Sequence, residues 1–287
     1  MLFLTGLICG PTHAGTCRAN SNHCVHAGPS RGISLKIYRH FLVVAVGQFG
    51  DTFEHRNFLL DTGVAPSIIN ARLVKRLGLE TRTSTLSAAG KVVPTQTAIV
   101  PEVELGPVRA DFLPVQVHDL SRLERELGIP LAGLIGLDVL SKASFRLDYE
   151  NEKIEFGDLP HKGIPVPFDA RTSLAVVTVT FGSRPARMLV DTGSDRVVLF
   201  GGNFEAIGWP ELRHFSPLGT SLADQEMRVG EFFPSDIVLA GQHFRKDKAY
   251  FIQGSKDSAF DGLLGVRALG FRAVSYDQTK RTLYLQK

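Results

Sequence analysis

The chain is poor in cysteine, has a single tryptophan and shows no strong bias of charge. All three cysteines lie within the first 24 residues, so no disulfide or thiolate metal ligand is expected in the rest of the chain. The 32 basic and 29 acidic residues nearly balance, and no Lys/Arg block interrupts them, which argues against nucleic acid as a partner. No apolar run reaches the roughly 18 residues of a membrane-spanning helix, so no stable membrane span is expected.

Residues 1–33 differ in character from the rest and are predicted to be a leader. The stretch MLFLTGLICG has an apolar run near the minimum length of a secretory signal. No Lys or Arg stands between Met1 and this run to form the usual basic region. The expected location is therefore secreted or periplasmic if this stretch acts as a signal, and cytoplasmic otherwise. Histidines accompany the cysteines, but without the C-x2-C or H-x3-H spacing of a zinc site. No metal and no cofactor are expected.

The remainder of the chain repeats itself. The stretch FLLDTGVAPSII, from residue 58, is matched by MLVDTGSDRVVLF, from residue 188. Three landmarks recur in the same order, at offsets of 130, 129 and 127 positions, which indicates an internal duplication with small insertions. The paired residues are Asp61 and Asp191, Gly136 and Gly265, and Tyr149 and Tyr276.

Local signals predict an all-β fold with a few short helices. Short runs rich in Val, Ile, Leu and Phe, separated by Gly, Pro, Asn and Asp, predict strands. One helix is predicted between a cap at Asn70 and a stop at Gly78. A second is predicted within residues 119–128, with Ser121 and Glu124 as a capping box.

A segment rich in proline and glycine, residues 157–167, predicts a seam between two units. The units are placed at residues 34–158 and 165–287. Each has a length that suits a compact β barrel and little else.

The Asp-Thr-Gly motif invites two interpretations. A single copy at a strand end is usually a turn, because Asp and Gly are turn formers. Both copies here have apolar flanks that would hold the acid near the interior, where an unpaired carboxylate is costly. Two acids brought together would share a site and a proton. Such a pair indicates a catalytic role rather than a contribution to stability. The sequence lacks H-E-x-x-H and the P-loop pattern.

These motifs resemble those of the retropepsin-like aspartic proteases, and their tandem arrangement is similar to the two-lobed pepsin plan in one chain. The resemblance covers residues 34–287. It implies two retropepsin-like β-barrel lobes related by approximate two-fold symmetry, and an aspartic endopeptidase that needs no cofactor. Asp61 and Asp191 would be the catalytic dyad, acting on a peptide or protein substrate bound in an extended form. A monomer is expected, and two chains that each contribute one lobe are the alternative.

The resemblance also implies roles for the loops around the dyad. Thr62 and Thr192 would interlock their hydroxyls beneath the carboxylates. Gly63 and Gly193 would let backbone amides approach the acids. An apolar residue followed by glycine would support each loop from behind, and the residues concerned are Ile135 with Gly136 and Leu264 with Gly265.

The two halves depart from each other and from the family pattern. Ser194 would donate to the outer oxygen of Asp191, whereas Val64 follows the first motif and has no hydroxyl. The flap tyrosine of pepsin-type enzymes has no candidate, so hairpins at 84–97 and 219–232 are the predicted flaps, with plain surface hairpins as the alternative. A peptide-binding module with weak or absent turnover is the alternative to a protease.

Overall fold

The structure is a computed structural model that describes residues 7–8, 32–49, 54–88, 91–169, 173–201, 215–220, 226–234, 236–245, 248–252 and 259–287. The three cysteines and most of the predicted leader lie outside these residues. Within the described ranges, no helix is long and apolar enough to cross a membrane.

Strands dominate the described residues, as the all-β prediction requires. The strands of the first half are β1 (Leu7–Ile8), β2 (Gly32–Tyr38), β3 (Leu42–Phe49), β4 (Arg56–Leu60), β5 (Val64–Ala65), β6 (Ile68–Asn70), β7 (Thr81–Ala88), β8 (Lys91–Leu105), β9 (Val108–His118), β10 (Gly133–Ile135), β11 (Phe145–Asp148) and β12 (Lys153–Phe156). Those of the second half are β13 (Ile164–Pro167), β14 (Val176–Phe181), β15 (Arg184–Asp191), β16 (Val197–Phe200), β17 (Phe215–Thr220), β18 (Glu226–Phe232), β19 (Ile237–Leu239), β20 (Gln242–Phe244), β21 (Ala249–Ile252), β22 (Gly262–Gly265), β23 (Ala273–Asp277) and β24 (Thr282–Gln286). The helices are α1 (Ala71–Leu77), α2 (Ser121–Leu127), α3 (Leu137–Leu140) and a 3₁₀ helix (Val266–Leu269).

Over the described ranges, the strands form a 15-stranded and a nine-stranded sheet. The nine-stranded sheet contains only strands of the second half, in the order β17-β18-β21-β16-β22-β15-β14-β19-β20. The larger sheet also takes in β13, β23 and β24, because β23 pairs antiparallel with β11. The sheets therefore do not divide at the predicted seam, and the division at 34–158 and 165–287 stays a prediction.

Burial along the strands explains their positions. In β24 the buried Leu283 and Leu285 alternate with more exposed residues, a pattern typical of a strand with one covered face. By contrast, β10, β16 and β22 are buried at every position, as expected for central strands covered on both faces. These continuously buried strands lie beside the Asp-Thr-Gly motifs, so the motifs emerge from the interior of the molecule.

Helix α1 begins and ends where the sequence predicts. The side chain of Asn70 accepts a hydrogen bond from the amide of Arg72, and Gly78 ends the helix in the left-handed conformation with φ of 63°. The capping box predicted for α2 is wrong. The Asp119 carboxylate accepts from the amide of Ser121 at 2.9 Å, while the Glu124 carboxylate accepts from the amide of Leu131 at 2.9 Å. Asp119 thus satisfies the first amide of α2 from outside the helix, whose N-cap Leu120 has no side-chain cap hydrogen bond, and Glu124 ties α2 to the segment before β10.

Candidate active site

Two parallel strand pairs carry the Asp-Thr-Gly motifs. In the first half, β4 pairs with β10, and Leu60 lies opposite Ile135. In the second half, β15 pairs with β22, and Asp191 lies opposite Gly265. The amide of Asp61 donates to the carbonyl of Ile135 at 2.9 Å. The apolar-Gly elements therefore lie directly beside the strands that lead to the two acids.

The threonines of the two motifs bind each other's loops. The Thr62 hydroxyl donates to the carbonyl of Val190 at 2.9 Å and accepts from the amide of Thr192 at 3.1 Å. Reciprocally, the Thr192 hydroxyl donates to the carbonyl of Leu60 at 3.1 Å and accepts from the amide of Thr62 at 3.0 Å. Both threonines are buried. These four hydrogen bonds join the two loops within one chain.

Glycines allow the loops to pack this closely. A Cβ at Gly63 would lie 2.8 Å from Cγ of Asp191 and 3.1 Å from Oδ1 of Asp61. A Cβ at Gly136 would lie 2.2 Å from the carbonyl oxygen of Val64, and one at Gly265 would lie 2.2 Å from that of Ser194. Contacts this short are sterically forbidden, so side chains at these three positions would force the loops apart.

The two carboxylates converge beside Gly63. Oδ1 of Asp61 accepts from the amide of Gly63 at 2.8 Å, and Oδ1 of Asp191 accepts from the amide of Gly193 at 2.7 Å. Both side chains are fully buried, and neither Oδ2 atom has a hydrogen-bond partner among the described residues. Each acid thus keeps one acceptor oxygen available, although most buried polar groups in proteins are hydrogen-bonded.

Burial and mutual proximity raise the pKa of both acids. Burial raises the pKa of Asp61 to about 6, against the smaller lowering effects of the neighbouring Asp191 side chain and of the hydrogen bond from the amide of Gly63. The pKa of Asp191 rises well above its usual value because of burial first, and then because of the charge of Asp61. Two acids in this relation titrate as one coupled unit. The pair can therefore hold a proton at pH values where isolated carboxyls have lost theirs.

The predicted hydrogen bond from Ser194 to Asp191 is wrong for this structure. The Ser194 hydroxyl oxygen accepts from the amide of Arg196 at 3.2 Å, and Oδ2 of Asp191 has no partner in the described part of the chain. Val64, the residue that corresponds to Ser194, is fully buried in β5. The hydroxyl therefore stabilises its own turn, and the two sides are less unequal at the carboxylates than the sequence suggests.

A partly buried acid, Asp138, supports the loop of Asp61, and the sequence interpretation missed it. Asp138 accepts from the amide and the hydroxyl of Ser67 at 2.8 and 2.6 Å. The same hydroxyl accepts from the amide of Gly136 at 2.9 Å. The pKa of Asp138 is raised by burial, against the lowering effect of these bonds. Arg267 stands at the matching position of the second half. This difference between the halves is the sequence feature that could have indicated a role for Asp138.

We expect Asp138→Asn to lower the free energy of unfolding by about 1–3 kcal/mol, because Ser67 loses one of two charged acceptors and faces an amide donor instead. Urea unfolding followed by fluorescence measures the change. The exposed Asp158 provides a control, and Asp158→Asn should leave the free energy unchanged. Equal stability of the two variants would contradict a supporting role for Asp138.

The predicted flap segments are hairpins where they are described. Strands β7 and β8 pair antiparallel from Thr81 opposite Ala98 to Ala88 opposite Lys91, and β17 pairs antiparallel with β18. Residues 89–90 and 221–225 lie outside the described residues. Their role as flaps stays a prediction.

A mostly β fold whose two Asp-Thr-Gly loops interlock through their threonines has the architecture of an aspartyl protease. Residues 45–139 match the family model described as aspartyl protease, and this match supports a retropepsin-like aspartyl protease, a class of hydrolase. The match includes Asp61 and Gly136, whereas Asp191 lies beyond it. No curated protein sequence matches the chain.

Proposed function

We propose that this protein is an aspartic endopeptidase in which Asp61 and Asp191 act as one shared-proton dyad. The observation that carries the proposal is the convergence of the two buried carboxylates, held by reciprocal hydrogen bonds between Thr62 and Thr192. Because those bonds join loops of a single chain, they favour a monomer over two chains that each contribute one lobe. For a monomer, we expect the activity per molecule to stay the same when the enzyme is diluted.

The proposed reaction follows from a pair of acids that holds one proton. The ionised carboxylate takes a proton from a water molecule, while the protonated carboxyl polarises the carbonyl of the substrate peptide bond. The water oxygen adds to the carbonyl carbon and forms a tetrahedral diol without a covalent enzyme intermediate. Proton transfer to the amide nitrogen then releases the amine and leaves a free carboxyl group on the other product. The Oδ2 atoms, which lack partners among the described residues, are the acceptors available for this water.

An extended peptide is the proposed substrate. Leu7 and Ile8 of the chain form β1, which pairs parallel with β5 and antiparallel with β7. Strand β5 directly follows the loop of Asp61, and β7 belongs to the predicted flap at 84–97. A substrate peptide in the place of β1 would form main-chain hydrogen bonds with both the predicted flap and the strand after the active-site loop. The position of β1 therefore supports an extended substrate.

If substrate and β1 compete for these strand edges, removal of residues 1–31 should lower KM for a peptide substrate and leave kcat nearly unchanged. Steady-state kinetics of the shortened and full-length chains measure both constants. In the full-length chain, Ile8→Pro should shift KM in the same direction, because proline removes a backbone donor. An unchanged KM in both variants would show that β1 does not compete with the substrate.

The alternative function keeps the fold as a peptide-binding module with weak turnover. Val64 favours it, because the loop of Asp61 then lacks a hydroxyl such as that of Ser194, which bonds its own turn. A peptide library incubated with the wild type from pH 3 to pH 8, with products identified by mass spectrometry, separates the two. Cleavage that is blocked by a peptide with a hydroxyl-bearing tetrahedral carbon at the scissile position supports the protease. Peptides that bind and stabilise the fold but are never cut would support the module.

A further inference from the structure

A tyrosine of the larger sheet reaches the underside of the two active-site loops. Tyr276, on β23, is fully buried, and its hydroxyl donates to Oγ1 of Thr62 at 3.1 Å. Its ring stacks on Phe145 of β11, with centroids 4.4 Å apart and planes 12° from parallel. The stacked ring sets the direction of the hydroxyl, so the contact with Thr62 follows from the packing of the sheet.

The hydrogen bond from Tyr276 completes the bonding capacity of the Thr62 hydroxyl. A hydroxyl has one proton to donate and two lone pairs that accept. Oγ1 of Thr62 accepts from Tyr276 and from the amide of Thr192, and it donates to the carbonyl of Val190. With both lone pairs occupied, its single proton is directed at Val190, the residue before Asp191. Donation by Tyr276 also polarises the Thr62 hydroxyl and strengthens its own donation.

The second half-site lacks an equivalent bond. Tyr149 occupies the matching place in the repeat and is also buried, but its hydroxyl has no hydrogen-bond partner among the described residues. The guanidinium of Arg267 lies over its ring, 5.4 Å from the centroid. Within the described residues, the Thr192 hydroxyl makes two hydrogen bonds, one fewer than that of Thr62. The third bond therefore distinguishes the two halves of the interlock.

We propose that Tyr276 is a positioning residue of the dyad, whose hydroxyl fixes the Thr62 rotamer and thereby holds the loop of Asp191 against that of Asp61. The proposal rests on the proposed function for its catalytic consequence, although the positioning itself is a property of the folded chain. Tyr276 does not touch the reacting atoms. It acts through Thr62 and Val190 on the separation of the two carboxyls.

The test compares Tyr276→Phe with Tyr149→Phe, two changes that each remove one buried tyrosine hydroxyl from matching places of the repeat. In Tyr276→Phe, kcat for peptide hydrolysis should fall by about 3- to 10-fold, the effect of one hydrogen bond, with KM unchanged. The two limbs of its pH profile should move towards each other, since weaker coupling between two acids brings their apparent pKa values together. Tyr149→Phe should match the wild type in all three respects.

Amide hydrogen exchange at Thr192, measured by NMR, reports on the interlock without turnover. Tyr276→Phe should accelerate this exchange, because the amide donates to the same Oγ1 atom of Thr62, whereas Tyr149→Phe should not. If exchange, kcat and pH profile are the same in the two variants, the positioning role is wrong. If the wild type hydrolyses no peptide, the proposed function fails, and exchange at Thr192 alone then supports or overturns the positioning by Tyr276.

Discussion

Replacement of Asp61 by asparagine is expected to reduce kcat for peptide hydrolysis by about 10²–10⁴-fold, and Asp191→Asn should do the same. Asparagine preserves the shape of the side chain and can still accept from the amide of Gly63, which now bonds Oδ1 at 2.8 Å. It cannot exchange a proton with water or share one with its partner. The loss should therefore fall on the chemical step, with KM little changed. Steady-state kinetics on one peptide, at the pH of maximal wild-type activity, measure both constants.

The double variant gives a sharper result. If the acids act as one unit, Asp61→Asn combined with Asp191→Asn should be no slower than either single variant, because the first change already abolishes proton sharing. Asp195 offers a matched control in the same loop, where it pairs with Arg196 at 3.0 Å and has a side chain that is 37% exposed. Asp195→Asn should retain kcat. Wild-type rates in both single variants would refute the dyad.

Acidification from pH 7 to pH 4 is expected to raise the free energy of unfolding by about 2 kcal/mol through Asp61 alone. The ordinary pKa of 3.8 rises to about 6 in the folded chain, so the folded state binds this proton more tightly than the unfolded state. The contribution is fully present below pH 3.8 and is lost as the pH rises through about 6. Asp191, whose pKa is also raised, adds in the same direction. Urea unfolding at a series of pH values measures the effect.

Other acids also contribute to the pH dependence of stability, and their effect must be separated from that of the dyad. Asp119 acts in the opposite direction, because the hydroxyl of Ser121 lowers its pKa. It is present in both the wild type and Asp61→Asn, so the difference between their stability profiles isolates the dyad. The free energy of unfolding of the wild type should exceed that of Asp61→Asn by more at pH 4 than at pH 7. Parallel profiles would show that the folded state does not retain the dyad proton.

The centre of this site could be predicted from the sequence because the relevant signal is local and duplicated. Asp61, Thr62 and Gly63 form one continuous motif, and its second copy made a chance turn improbable. The bonds of Gly63 and Gly193 to their own aspartates span two positions. Interactions of such short range follow from the order of residues in a turn, so a reader of the sequence alone can anticipate them.

The contacts that support the site could not be predicted from the sequence, because they join residues far apart along the chain. Ser67 and Asp138 are 71 positions apart, and Thr62 and Tyr276 are 214 apart. Tyr276 stood out in the sequence only as a landmark of the repeat, and nothing local distinguishes it from Tyr149. The bond predicted for Ser194 failed because a hydroxyl at that position can serve its own turn as readily as the carboxylate.

The sequence by itself determined the strand-rich fold, the limits of helix α1 and the pair of acids, because hydrophobic periodicity, capping residues and a repeated motif act over a few positions. Only the tertiary structure decided which hydroxyl reaches which oxygen and that the C-terminal strands join the larger sheet. Those outcomes depend on how distant strands pair and on the direction of side chains that the packing then fixes. The asymmetry between Tyr276 and Tyr149 arises at that level.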